Sequence, residues 1–116
     1  MKKSILLIIA SFIFFACTNK HKTYTIGVLQ CSEDVWRQYM NDALRTASYQ
    51  YDNVEIKFVS TKDNSLEQVN QINRLVDEGV DLLIVSPNQM HTITAAIDRA
   101  THKGIPVILF DRKTDS

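Results

Sequence analysis

Tyr24 to Gln30 (Tyr-Thr-Ile-Gly-Val-Leu-Gln) is a β-rich apolar run and predicts a first strand. Ser32, Glu33 and Asp34 follow it and supply a cap and first-turn acids for a helix. Trp36, Met40, Ala43 and Ala47 recur at helical spacing, which carries that helix to about Tyr51. Val54 to Ser60 alternates apolar and polar residues with period two, a second strand. Ser65 to Gln68 fits a capping box, with Leu66, Val69, Ile72 and Val76 on one helical face and Gly79 as the stop. Leu82 to Val85 is a short apolar strand ended by Ser86-Pro87-Asn88. A third helix turns Ile93, Ala96, Ile97 and Ala100 inward and closes at Gly104. Pro106 to Phe110 is the fourth strand, with Asp111 and Arg112 at its carboxyl end.

Strands and helices alternating at this spacing form βαβ units with right-handed crossovers. The expected fold is α/β, a three-layer doubly wound parallel sheet of strand order 2-1-3-4. Strands 3 and 4, wholly apolar, are expected to be central and covered on both faces. Strand 2, which alternates, belongs at an edge.

Ahead of this pattern stands a segment of another kind. Met1-Lys2-Lys3 is basic, and Ile5 to Ala16 is almost wholly apolar. About a dozen apolar residues are too few to cross roughly 30 Å of hydrocarbon as a helix, but they suit a secretory signal. Phe14-Phe15-Ala16-Cys17 resembles a bacterial lipobox, in which Cys17 is acylated and becomes the new N-terminus; Phe14 stands where Leu is usual. The alternative is a plain signal peptide or uncleaved anchor, with Cys17 incidental. The expected organisation is a signal at 1–17, a polar tether at 18–23 and the exported domain at 24–116.

Charge changes the picture only through this division. Thirteen Lys and Arg balance thirteen Asp and Glu, so no basic field points to nucleic acid. Removal of residues 1–16 takes Lys2 and Lys3 and leaves 11 basic against 13 acidic side chains, a net charge of −2. The 100 residues left can bury one core. A composition 45% hydrophobic and 22% charged excludes a disordered tail, a collagenous repeat and a polytopic membrane protein. With Cys17 lipidated, Cys31 is the sole thiol and no intrachain disulfide forms. His21, His91 and His102 are scattered, and no zinc-ligand spacing occurs.

In open α/β sheets ligands bind beyond the carboxyl ends of the strands, near the switch point of the topology. That rule selects Gln30 to Arg37, Ser86 to Asn88 and Asp111 to Lys113. Asp111 and Arg112 set an acceptor beside a planar five-donor fork suited to adjacent hydroxyls, or form an ion pair at the strand end. Trp36 either stacks on the apolar face of a sugar ring or packs in the core. Glu33 and Asp34 are hydroxyl acceptors or helix-dipole acids, and Asn88 is a ligand donor or the cap of the third helix. Gln30-Cys31-Ser32-Glu33-Asp34 contains no glycine, which argues against a dinucleotide or phosphate loop. Ser86-Pro87 stands where a phospho-receiver domain needs its acceptor Asp. Cys31 has no partner base in sequence and reads as a structural thiol.

Tyr24 to Thr114 resembles the start of a type 1 periplasmic binding protein of the ribose-binding kind. The carrying residues are Ile26-Gly-Val28, the polar loop with an aromatic, Val80 to Pro87 (Val-Asp-Leu-Leu-Ile-Val-Ser-Pro) and Gly104 to Arg112 (Gly-Ile-Pro-Val-Ile-Leu-Phe-Asp-Arg). The resemblance implies that Asp111 and Arg112 hold sugar hydroxyls and the ring oxygen. Asp34-Val35-Trp36 replaces the Asn-Pro-Phe typical of ribose binders, which points away from ribose. Ser32 to Arg37, Ser86 to Asn88 and Asp111 to Thr114 are similar to the periplasmic sensor domains of hybrid two-component regulators of carbohydrate use. Those domains read a mono- or oligosaccharide and signal to a cytoplasmic histidine kinase.

The resemblance implies ligand contacts from Ser32, Asp34, Trp36, Arg37, Asn88, Asp111 and Arg112, with no cofactor, no metal and no catalysis. Such domains have two lobes that close on a hinge. The residues here correspond to part of the first lobe, through its fourth strand, and the expectation is a partial N-terminal lobe. Two alternatives stand beside the sensor: a lipid-anchored binding protein of a sugar transporter, or an inactive truncated fragment of either. An exported α/β enzyme would need a nucleophile–base pair that the sequence does not display, and no helix-turn-helix precedes strand 1 as a repressor requires.

Overall fold

The computed structural model describes residues 21–89 and 91–111. The signal segment, Cys17 and Arg112 lie outside the described residues. Seven elements form in the expected order: β1 (Tyr24–Gln30), α1 (Val35–Ser48), β2 (Val54–Ser60), α2 (Ser65–Glu78), β3 (Leu82–Val85), α3 (Thr94–His102) and β4 (Val107–Leu109). The sheet is parallel throughout with order β2-β1-β3-β4. β1 pairs with β2 from Tyr24–Val54 to Gln30–Ser60, and with β3 from Ile26–Leu82 to Leu29–Val85.

Right-handed crossovers decide where the helices go. The chain steps one way from β1 to β2 and the other way from β2 to β3 and β4, so α1 lies on one face and α2 with α3 on the opposite face. The α2–α3 side holds the core: Leu29, Leu83, Val85, Ile72, Leu75, Val76, Ile93, Ala96, Ile97 and Ala100 form one buried cluster. Gly27 lets α2 approach, because a Cβ there would stand 2.9 Å from Leu75 Cδ1 and 3.0 Å from Leu83 Cδ2.

The α1 side differs from expectation. Among the described residues β4 is an edge strand, its Ile108 is 51% exposed, and Leu82, Ile84 and Phe110 are only half-buried. Strands 3 and 4 are therefore covered on one face and largely bare on the other, since one helix cannot roof four strands.

Three local expectations also need correction. The inward stripe of α1 is Arg37, Asn41, Leu44 and Ser48, with Met40 half-buried, while Trp36, Ala43 and Ala47 are exposed. The cap of α2 is Asn64, whose Oδ1 accepts the Glu67 N–H at 3.0 Å; Gln68, expected in a capping box with Ser65, is fully buried instead. Leu66, expected on the inward face, is 68% exposed. The α2 stop is as expected, with Gly79 in the left-handed region at φ 75°. Lys22, in the expected tether, donates to Asp81 Oδ1 at 2.6 Å, and Asp81 Oδ2 accepts the Thr25 N–H at 2.9 Å, pinning the chain at the amino edge of the sheet.

Candidate functional site

The crossovers reverse between β1 and β3, and beyond the carboxyl ends of those strands the polar residues gather. Asp34 caps α1: its Oδ1 accepts the Arg37 N–H at 3.0 Å and its Oδ2 accepts the Ser32 hydroxyl at 2.6 Å. The Ser32 hydroxyl above all, then the Arg37 N–H and the Arg37 guanidinium charge, hold the Asp34 carboxyl below the usual carboxylate range.

This cap fixes the first turn of α1 and sends Arg37 inward over the strand ends. Its guanidinium is buried. Nη1 donates to Ser86 Oγ at 2.7 Å, Nη2 donates to Asp111 Oδ2 at 2.6 Å, and Nε lies 3.8 Å from Asp34 Oδ2 with no hydrogen-bond partner among the described residues. The Phe110 ring lies beneath it, 5.9 Å from centroid to Cζ. One side chain thus links the start of α1 with the ends of β3 and β4.

Ser86 is held from several directions. Its N–H donates to Leu29 O at 2.9 Å, its Oγ lies 3.5 Å from Cys31 Sγ, and its carbonyl accepts Gln68 Nε2 at 2.9 Å. Gln68 Oε1 takes the Asn88 N–H at 2.9 Å, and Asn88 Nδ2 donates to Ser65 Oγ at 2.9 Å. One buried amide of α2 therefore shapes the loop after β3. Asp111 has φ 68°, uncommon for a side-chain-bearing residue, yet its carboxylate remains 43% exposed.

On the other flank, Glu33 Oε1 accepts the Ser60 hydroxyl at 2.9 Å, and Gln30 Nε2 donates to Asn41 Oδ1 at 2.8 Å. Ser32, Glu33, Arg37, Gln38, Asn41 and Ser60 line an open cavity of about 260 Å³. The rim offers carboxylate acceptors on a rigid frame, with an exposed aromatic ring, Trp36, in the same helical turn. Such a surface suits a neutral, hydroxyl-rich ligand. Among the described residues no three His, Cys, Asp or Glu side chains gather as a metal cage.

Residues 26–116 match the periplasmic binding protein domain family. The chain belongs to that family. It is 43% identical to the fructose-binding periplasmic domain of hybrid two-component system BT1754, with a TM-score of 0.78 over 80% of this chain and 31% of that one. It is 26% identical to an ABC transporter solute-binding protein from Bacillus halodurans C-125 with bound myo-inositol, with a TM-score of 0.76 over 85% of this chain and 34% of that one. The ribose import binding protein of Bacillus subtilis (strain 168) is 27% identical over 62 residues, 53% of this chain and 20% of that protein. The chain thus spans between a fifth and about a third of the length of these relatives.

Within this periplasmic binding protein domain, Ser32, Asp34, Arg37 and Asp111 form one hydrogen-bonded network. Trp36 does not pack in the core, being 69% exposed. Asn88 does not cap α3, which begins six residues later at Thr94 without a side-chain cap; it bonds to α2 instead. Asp111 pairs with Arg37, while Arg112 lies outside the described residues. The linking roles of Gln68 and Ser86 do not follow from the capping-box pattern or the switch-point rule. Their signal is a polar side chain on an apolar stripe, as Gln68 stands one turn before Ile72 on the buried face of α2.

Proposed function

We propose that this chain is the first lobe of a carbohydrate-binding periplasmic sensor domain from a hybrid two-component histidine kinase regulator. The observation that carries the reading is the Asp34–Arg37–Asp111 network at the switch point, on a chain 43% identical to a fructose-binding domain of such a system. The ligand class is a small mono- or oligosaccharide. Asp111 and Asp34 accept its hydroxyls, Trp36 stacks on its ring, Ser32, Asn88 and Arg112 add donors, and Arg37 belongs to the same site. Residues 1–17 export the chain to the periplasm, 18–23 tether it, and 24–116 contribute the lobe. The domain binds and does not catalyse; a kinase belongs to the remainder of the regulator.

A second reading, a lipid-anchored solute-binding protein of a sugar transporter, is favoured by the lipobox-like Phe14-Phe15-Ala16-Cys17 and by the myo-inositol-bound relative. Calorimetric titration of the full-length mature protein with fructose and myo-inositol tests the sugar claim. Asp111→Ala is expected to weaken the bound sugar about 100-fold, the loss expected when a charged acceptor of buried hydroxyls is removed. Unchanged affinity in that variant refutes the site. Sugar-dependent gene expression without sugar uptake selects the sensor, and uptake without it selects the transporter.

A further inference from the structure

We propose that Arg37 is a positioning residue, which orients the Asp111 carboxylate toward a ligand hydroxyl without itself touching the ligand. The inference rests on the sugar-site reading above and deepens it. Arg37 is buried, and both terminal nitrogens are engaged within the protein, Nη1 by Ser86 and Nη2 by Asp111. A ligand at the exposed rim meets Asp111, whose side chain is 43% exposed, and not the guanidinium behind it, whose side chain is 8% exposed.

The frame behind Arg37 is rigid. Ser86 is fixed by the Leu29 carbonyl, by Cys31 Sγ and by Gln68, so the nitrogen bonded to it is referred to the end of β3. The guanidinium is planar, so anchoring Nη1 also determines where Nη2 lies, and Nη2 takes Asp111 Oδ2. Phe110 beneath the plane and the Asp34 cap at the start of α1 limit its tilt. Asp111 needs such a hold. It stands beyond β4, a three-residue strand at the edge of the described sheet, with φ 68°, uncommon for a side-chain-bearing residue. Lysine keeps the charge but not the fork, and cannot reach Ser86 and Asp111 with fixed geometry.

The test is a double-substitution cycle on the full-length mature protein, with fructose and myo-inositol as probes and thermal unfolding as the control for folding. Arg37→Lys is expected to weaken sugar binding about tenfold or more when Asp111 is present, and by about twofold or less in the Asp111→Asn background. Equal losses in both backgrounds mean that Arg37 acts on the fold or on the ligand directly, and overturn the proposal. Ser86→Ala, which removes only the anchor, is expected to show a smaller loss with the same dependence on Asp111; it serves if the Arg37 variant does not fold. Asp111→Asn binding as tightly as the parent defeats the site reading itself. A parent that binds neither probe overturns both.

Discussion

On the α2–α3 side of the sheet Leu29, Leu83 and Val85 have no exposed surface, whereas on the α1 side Ile84, between Leu83 and Val85, and Phe110, just after β4, are half-buried and Ile108 of β4 is 51% exposed. The two faces have the same composition class in β3 and β4, yet one is a close-packed core and the other carries the polar rim that ends in Arg37 and Asp111. Topology makes the difference. Two crossovers stack their helices on one face, and the single helix of the other turns an arginine and an asparagine inward where Trp36, Ala43 and Ala47 were expected. Stability is concentrated on one side, and the proposed recognition site lies at the carboxyl end of the other.

The largest expected effect separates the faces directly. Leu83→Ala should cost about 2–5 kcal/mol of unfolding free energy, because it leaves a cavity in a packed core, while Ile108→Ala should cost less than about 1 kcal/mol. Chemical denaturation of both variants checks this, and equal losses would mean that the α1 face is packed as tightly as its opposite. Gln68→Leu comes next. It strips the Ser86 carbonyl and the Asn88 N–H of their buried partner and should cost about 1–3 kcal/mol by the same measurement.

That glutamine also marks where sequence patterns stop being legible. Strands β1 and β2 were readable to the residue, since apolar runs and period-two alternation are bounded there by Ser32 to Asp34 and by the polar residues after Ser60. The α1 stripe was not. Val35, Trp36, Tyr39, Met40, Ala43, Leu44 and Ala47 cover one contiguous half of the helix, yet only Met40 and Leu44, toward its margin, are even half-buried, so the apolar face is not the one turned inward. The choice falls to Arg37 and Asn41, which turn inward to bond Ser86, Asp111 and Gln30, and such a buried polar network works against hydrophobic periodicity. The rim itself was legible in part. Asp34, Arg37 and Asp111 fall in segments that the switch-point rule selects, but that Asp111 pairs with a residue 74 positions away depends on tertiary geometry.

A smaller effect distinguishes the two candidate caps of α2. Asn64→Ala should cost about 1 kcal/mol and Ser65→Ala markedly less, read as thermal midpoints of the two variants. The smallest effect concerns pH. The Asp34 carboxyl is held low in the folded protein, chiefly by Ser32 and the Arg37 N–H, so its contribution is complete above the usual carboxylate range and is lost as pH falls through its depressed folded value. Asp34→Asn should therefore shallow the acid arm of a stability-against-pH curve without removing it, since Asp77, Glu78 and Asp81 are also held low, chiefly by Arg99, Lys57 and Lys22. An unchanged acid arm would show that the Asp34 cap is not coupled to folding.

Trp36 is the sole tryptophan of the chain, and it stands exposed beside the rim. The emission lost in Trp36→Phe reports on that turn of α1, and a fructose titration of the full-length mature protein followed through this difference addresses the recognition claim most directly. The account predicts a saturable blue shift or quench as the ring is covered, lost in Asp111→Ala. Fructose that binds by calorimetry while the Trp36 emission stays unchanged would contradict it, and would move the ligand away from this face of the sheet.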